Sequence, residues 1–155
     1  MADVRLTWRE ITMGAAVGVA RRVRSLAQGL TDSYGYNGED DVWSREVNGA
    51  LAEMAVAKHL GLYWDGSVDT FKRPDVGTLQ VRHTVRLDGC LILRPHDPGD
   101  GIYVLVTGQA PMFTIVGCLR GEDGRRDEWV RDPGSVRPAH FVPQSELRPL
   151  ERISG

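Results

Sequence analysis

Residues 79–85 read Leu-Gln-Val-Arg-His-Thr-Val, an alternation that is typical of a β-strand. Successive strand side chains point to opposite faces, so the odd-numbered residues should face the core and the even-numbered ones should face away. Gln80 and Arg82 therefore project together. Immediately upstream, residues 73–77 read Arg-Pro-Asp-Val-Gly, which predicts a tight turn. This turn should place Asp75 next to the start of the strand.

Two helices are predicted before this strand. Residues 7–28 begin with a capping-box sequence from Thr7 to Glu10 and end before Gly29. A polar linker leads to a second helix over residues 42–60, which Gly61 closes. The first helix carries an apolar stripe that either mediates a homodimer or covers the sheet, and its Gly14 to Gly18 patch suits close helix packing. The stripe consists of Trp8, Ile11, Ala15, Val19, Val23 and Leu26.

The rest of the chain is predicted to form strands that are mostly joined by hairpins. The candidates are residues 68–71, 79–85, 90–94, 102–107 and 112–120, followed by a loop or short helix over 121–138 and a strand and turn over 141–150. Two helices followed by a run of strands predict an α+β or mixed α/β fold with one central sheet. At 155 residues, the chain is expected to be a single domain, 1–155.

Composition restricts the class of protein without naming a partner. The net charge is −2, no apolar run is long enough to span a bilayer, and the first residues do not resemble a secretory signal. A cytoplasmic protein with two free thiols, Cys90 and Cys118, is therefore expected. Of the 19 Lys and Arg residues, 17 are arginine. Arginine grips phosphate at two points, but a GC-rich genome produces the same bias.

Several oxygen donors should gather where the turn, the strand and the second helix meet. Asp75, the Gln80 amide oxygen and the Val81 carbonyl suit a Mg²⁺ ion, which prefers hard oxygen ligands and keeps several waters. Glu53 lies among alanines on the second helix and can hold a metal-bound water or a second ion. Arg82 is then placed to stabilise the charge that develops on a phosphate. Glu46, seven residues before Glu53, can support this site from the same helical face.

This order of residues resembles the PD-(D/E)XK nuclease superfamily. The pattern is a helix Glu at Glu53, then Pro74-Asp75, then Gln80-Val81-Arg82, and residues 43–150 resemble small nuclease-like proteins of phages and prophages. The resemblance implies a restriction-endonuclease-like mixed sheet flanked by helices. It also implies a Mg²⁺- or Mn²⁺-dependent nuclease that acts on DNA in the cytoplasm of a bacterial host. Its catalytic residues would be Glu53, Asp75, Gln80 and Arg82.

Two departures from the family pattern leave an alternative open. Gln80 replaces the usual Glu and removes a negative charge, and Arg82 replaces a lysine and cannot act as a base. Lys72 is the nearest lysine that can take over that role. An ion pair of Arg82 with Glu53 or Asp75 explains the same residues without a metal. The alternative is therefore a catalytically inactive protein on the same scaffold, one that binds nucleic acid or a host defence protein.

A second basic group lies further along the chain. Arg125, Arg126 and Arg131 surround Trp129 and can contact a nucleic-acid backbone while the indole stacks on a base. A solvated charged loop explains the same composition. His83 falls on the core side of its strand and is expected to be a hydrogen-bonded core residue.

Overall fold

The computed structural model describes residues 1–29, 41–68, 73–131 and 138–152. For residue 152 it describes the backbone only. The helices are α1 (Trp8–Ala27) and α2 (Val42–Leu60). The strands are β1 (Ala2–Arg5), β2 (Leu79–Thr84), β3 (Leu91–Leu93), β4 (Ile102–Gln109), β5 (Met112–Arg120), β6 (Val130–Arg131) and β7 (Ala139–Val142). Short 3-10 helices occupy residues 121–124 and 127–129, inside the segment expected to be a loop or short helix. Most of the predicted strand 68–71, and Lys72, lie outside the described residues.

The predicted helix ends are confirmed. The Thr7 hydroxyl accepts a hydrogen bond from the Glu10 amide at 3.2 Å, and the Glu10 carboxylate accepts one from the Thr7 amide at 2.7 Å. Asp41 caps α2 by accepting from the Trp43 amide at 3.0 Å. The helix ends at Gly61, whose φ of 66° lies in the left-handed region that favours glycine. Neither helix is long and apolar enough, over the described ranges, to span a bilayer.

The two helices pack through glycines, as the sequence predicts. A Cβ atom on Gly18 would lie 2.5 Å from the Val47 Cα, and one on Gly14 would lie 2.5 Å from a Leu51 methyl carbon. The apolar stripe of α1 occupies a different face and does not cover the sheet, so that interpretation is wrong. Because the glycine face makes the contact, much of the stripe is left in solvent. Its exposed members are Trp8, Val19, Val23 and Leu26.

The strands form two sheets rather than the single central sheet that was expected. The first has the order β1-β5-β4-β2, with β2 parallel to β4 and the other pairs antiparallel. The second has the order β3-β7-β6 and is antiparallel. The fold is therefore mixed α and β, as predicted, in one compact unit. The strand β1 was not predicted, because four residues carry too little pattern.

Two hydrophobic cores place a different layer on each face of the first sheet. The first core joins α2 to the face that carries Val104 and Val106. The second joins the opposite face, which carries Tyr103 and Leu105, to the second sheet. The expectation of a sheet flanked by helices is thus met on one face only. Among the described residues β2 is an edge strand, and no strand pairs with its side away from β4.

Two smaller predictions are confirmed. His83 is partly buried, and its Nε2 lies 2.7 Å from the Gly108 carbonyl oxygen while its ring contacts Phe113 edge-on. Cys90 and Cys118, both in described parts of the chain, are free thiols. Burial raises the pKa of the Cys118 thiol to about 11, so this sulfur is an inert core group.

Candidate functional site

Glu53 is a buried acid at the centre of α2. Residues 50–57 are all buried, because α1 and the first sheet both pack against this part of the helix. The small neighbours Ala50 and Ala57 leave room for the carboxyl group, which is only 6% exposed. An ionised acid that is buried without a partner destabilises the folded protein. The residues that pair with Glu53 therefore decide what the site can do.

Asp75 reaches the same place by way of a tight turn. The Asp75 amide donates to the Leu79 carbonyl at 2.9 Å, and Gly77 takes a φ of 57° to complete the reversal. The Asp75 carboxylate then accepts from the Val81 amide at 2.7 Å. Because Val81 lies on an edge strand, this amide points away from β4. The Val81 carbonyl points to the same open side, since N–H and C=O of one strand residue share a direction.

The carboxyl groups of Glu53 and Asp75 line the same cavity and influence each other electrostatically. Burial raises the pKa of Glu53 to about 7; the hydrogen bond from Arg21 opposes this rise, and the nearby charge of Asp75 adds to it. Burial also raises the pKa of Asp75, against the hydrogen bond from Val81. Burial therefore disfavours the charged form of both acids, and the charge of Asp75 adds to this effect at Glu53.

Arg21, on α1, is the residue that the sequence analysis missed. Its guanidinium forms a two-point ion pair with Glu53, one bond very short and the other 3.3 Å, and its Nε donates to the Ser67 carbonyl at 2.9 Å. A signal was present in the sequence. Arg21 lies seven residues after Gly14 and three after Gly18, so it shares the helical face that packs on α2.

Arg82 and Gln80 lie on the other face of β2. Arg82 is paired in register with Leu105, and Gln80 with Tyr103, both of which belong to the second core. The Arg82 guanidinium stacks over the Tyr103 ring at 5.0 Å and bonds to Asp97 at 3.0 Å. An ion pair of Arg82 was expected as an alternative, but its partner is Asp97 rather than Glu53 or Asp75. The face of Gln80 and Arg82 is half-buried, and Arg82 still lines the cavity described below.

One cavity of about 430 Å³ collects most of these groups at the open edge of β2. It brings together Glu53, Asp75, Val81 and Arg82, and Glu46 also lines it, as predicted. Gln80, although it lies in the described part of the chain, does not line the cavity. The charged lining consists of Arg21, Arg45, Arg82, Arg94, Glu46, Glu53 and Asp75. The lining thus carries four arginines and three carboxylic acids.

Glu53 and Asp75 are oxygen donors, the kind of ligand that a hard cation prefers. Within the described ranges, no group of three or more His, Cys, Asp or Glu side chains is arranged to hold a metal. This excludes a zinc-type cage among those residues, since such sites take three or four nitrogen, sulfur or carboxylate ligands. Mg²⁺ needs less protein, because it is commonly held by one or two carboxylates and keeps several waters. Glu53, Asp75 and the Val81 carbonyl meet that requirement.

The second basic group lies apart from this cavity. Arg125 donates to the Asp97 carbonyl at 2.7 Å, Arg126 stacks over Trp129 at 4.6 Å, and Arg131 stacks over Phe141 at 5.2 Å. Trp129 is only 9% exposed and belongs to the second core. The expectation that this indole stacks on a base is therefore wrong. Arg126 and Arg131 remain exposed and can still meet a phosphate backbone.

Comparison of the chain with protein-family models and with curated proteins, and of its fold with solved structures, gives no match.

Proposed function

We propose that the protein is a Mg²⁺- or Mn²⁺-dependent nuclease that hydrolyses phosphodiester bonds of DNA. The observation that supports this most is the buried pair of Glu53 and Asp75, which meets the open edge of β2 at Val81 in an arginine-lined cavity. An acid pair alone suits a cation, and arginines alone suit an anion. Phosphodiester hydrolysis by a metal requires both in one place.

Each residue has a defined role in this proposal. Asp75 and Glu53 would hold the cation from two elements, and the Val81 carbonyl would supply a third protein oxygen. When bound, the metal polarises a phosphoryl oxygen and lowers the pKa of a water molecule. Arg82 supplies a positive charge that Asp97 and Tyr103 keep in a fixed orientation. Gln80, outside the cavity, has no direct role.

The alternative is an inactive scaffold of the same kind that binds nucleic acid or a host defence protein. A specific observation favours it, namely that the principal charges already have partners within the protein. Arg21 neutralises Glu53, and Asp97 neutralises Arg82. In that case the cavity is a binding surface, and removal of the Asp75 charge leaves binding unchanged.

A cleavage assay separates the nuclease from the inactive scaffold. The purified protein is incubated with single- and double-stranded DNA and RNA, in Mg²⁺ and in Mn²⁺. The nuclease predicts cleavage that Asp75→Ala and Asp75→Asn both abolish. Asp88→Ala is the matched control, because this carboxylate is 80% exposed and lies outside the cavity. Calorimetry should detect Mg²⁺ uptake by the wild type and by the control only. Intact substrates in both metals, without Mg²⁺ uptake, would refute the nuclease.

A further inference from the structure

Arg21 occupies the carboxylate that the proposed metal would need. Its fork bonds to both oxygens of Glu53, and both residues line the cavity. The Arg21 side chain is 23% exposed and the Glu53 side chain 6%.

A guanidinium and a divalent cation cannot share this carboxylate at low cost. Both carry positive charge, and in a buried site their repulsion is only weakly screened. The two-point pair takes one lone-pair direction on each oxygen, so a cation would have to use the remaining directions directly beside the guanidinium. Because of this repulsion, binding of the metal by Glu53 should displace Arg21.

The contact between the helices does not depend on this ion pair. Gly14 and Gly18 bring the backbone of α1 against Leu51 and Val47 of α2, and this contact is independent of the Arg21 side chain. Arg21 can therefore leave Glu53 without separating the helices. Its alternative partner should be an anion in the same cavity, and the planar fork matches a phosphate as well as it matches a carboxylate.

We propose that Arg21 alternates between two anions, holding the Glu53 carboxylate when no divalent cation is bound and a substrate phosphate when the cation has displaced it. This inference rests on the proposed nuclease function. It assigns Arg21 as a further substrate-binding residue, and it implies that the ion pair weakens the affinity for metal. The cation and the phosphate then bind cooperatively, because each removes a competitor of the other.

The first test follows Arg21 directly in the wild type. The Nε–H resonance of Arg21, assigned by its loss in Arg21→Lys, is observed by NMR during titration with Mg²⁺. Displacement predicts that this signal shifts or broadens in step with the metal uptake measured by calorimetry, because the bond to Ser67 breaks. If Mg²⁺ binds and the signal does not change, Arg21 is not displaced and the inference is overturned.

The second test uses Arg21→Gln, with Arg9→Gln as the matched control, because Arg9 is an exposed arginine of the same helix. Arg21→Gln should bind Mg²⁺ about tenfold more tightly, as expected for removal of a competing interaction of roughly 1.4 kcal/mol. At saturating Mg²⁺ it should also raise the KM for DNA about tenfold, while the control matches the wild type. An unchanged Mg²⁺ affinity or an unchanged KM would overturn the inference.

These outcomes separate the inference from the function on which it rests. If Mg²⁺ uptake and cleavage depend on Asp75 but do not change in Arg21→Gln, the proposed nuclease function is retained. The proposed alternation of Arg21 between two anions is then refuted. Absence of Mg²⁺ uptake from every variant would remove the nuclease itself. If Arg21→Gln does not fold, the NMR titration of the wild type decides.

Discussion

The Asp75 carboxylate accepts a hydrogen bond from the Val81 amide at 2.7 Å, across the open edge of β2. This bond ties the turn to the strand and holds Asp75 next to Glu53. Asp75 thus has a structural role and a proposed chemical one, and the two must be separated by experiment.

Asp75→Asn and Asp75→Ala separate these roles. Asparagine keeps an oxygen that can accept from Val81 and removes a charge that burial disfavours, so its free energy of unfolding should match or exceed that of the wild type. Alanine leaves the Val81 amide without this partner, which should cost about 1 kcal/mol. Denaturant titration measures both. Equal stability of the two variants would show that the bond contributes little.

Glu53 should make the protein less stable as pH rises from about 4.5 to about 7. Its pKa is raised in the folded state from 4.5 to about 7, so the folded protein holds a proton that the unfolded chain has lost. A difference of one between the folded and the unfolded pKa is worth about 1.4 kcal/mol. The loss in the free energy of unfolding therefore approaches about 3 kcal/mol and levels off above pH 7. Denaturant titrations from pH 4 to pH 8 measure it.

Glu53→Gln is the control for this pH dependence. Burial lowers the pKa of His83, so this residue destabilises the protein at low pH, opposite to the effect of Glu53. The His83 effect is present in both the wild type and Glu53→Gln. The difference between wild type and Glu53→Gln reports Glu53 together with its coupling to Asp75, whose pKa is also raised, and it should shrink toward acidic pH. A difference that does not change with pH would contradict a raised pKa.

Gly18→Ala should destabilise the protein by about 2 kcal/mol, because the new Cβ would lie 2.5 Å from the Val47 Cα and 2.8 Å from the Glu46 carbonyl oxygen. Gly49→Ala is the matched control on α2. Its Cβ meets nothing within 4 Å, so the better helix propensity of alanine should stabilise by roughly 0.5–1 kcal/mol. Thermal unfolding of both variants tests the contact, and a neutral Gly18→Ala would show that the helices can separate freely.

Arg82→Ala should lower the free energy of unfolding by about 2 kcal/mol. It should also abolish any cleavage activity. It removes the stack on Tyr103 and leaves Asp97, whose side chain is 9% exposed, without its guanidinium partner. Arg82→Lys keeps the charge and should recover part of the loss. Denaturant titration provides the measurement. An Arg82→Ala protein of wild-type stability that has lost cleavage would assign the residue to chemistry alone.

Arg126 and Arg131 should contribute to DNA affinity mainly through phosphate contacts if DNA crosses the second sheet. Each substitution to alanine should then weaken binding for all sequences and reduce the slope of log affinity against log salt by about 0.9. Arg120→Ala, an exposed arginine that bonds to Glu122, is the control. Unchanged slopes in fluorescence anisotropy titrations would remove these residues from the DNA contact.

Short sequence patterns predicted the structural features that depend on interactions between residues close together in the chain. The capping box at Thr7 and the left-handed Gly61 depend on neighbours in sequence, so both helix boundaries were correct. The turn at Asp75 was predicted for the same reason. The two-residue period of β2 was also correct, although it could not tell which layer would cover each face.

The layers themselves required the tertiary structure. Whether Arg82 faces solvent or a second core depends on the sheet that β3, β7 and β6 form, and these strands are far apart in the chain. The pairing of Arg21 with Glu53 joins residues 32 positions apart, because two glycines let α1 approach α2.

The amino-acid sequence by itself therefore determined the helices, most strands and the two acids that meet. Only the tertiary structure decided which charges neutralise them, because ion pairs form between residues that packing brings together from distant positions, and a one-dimensional period does not encode those distances.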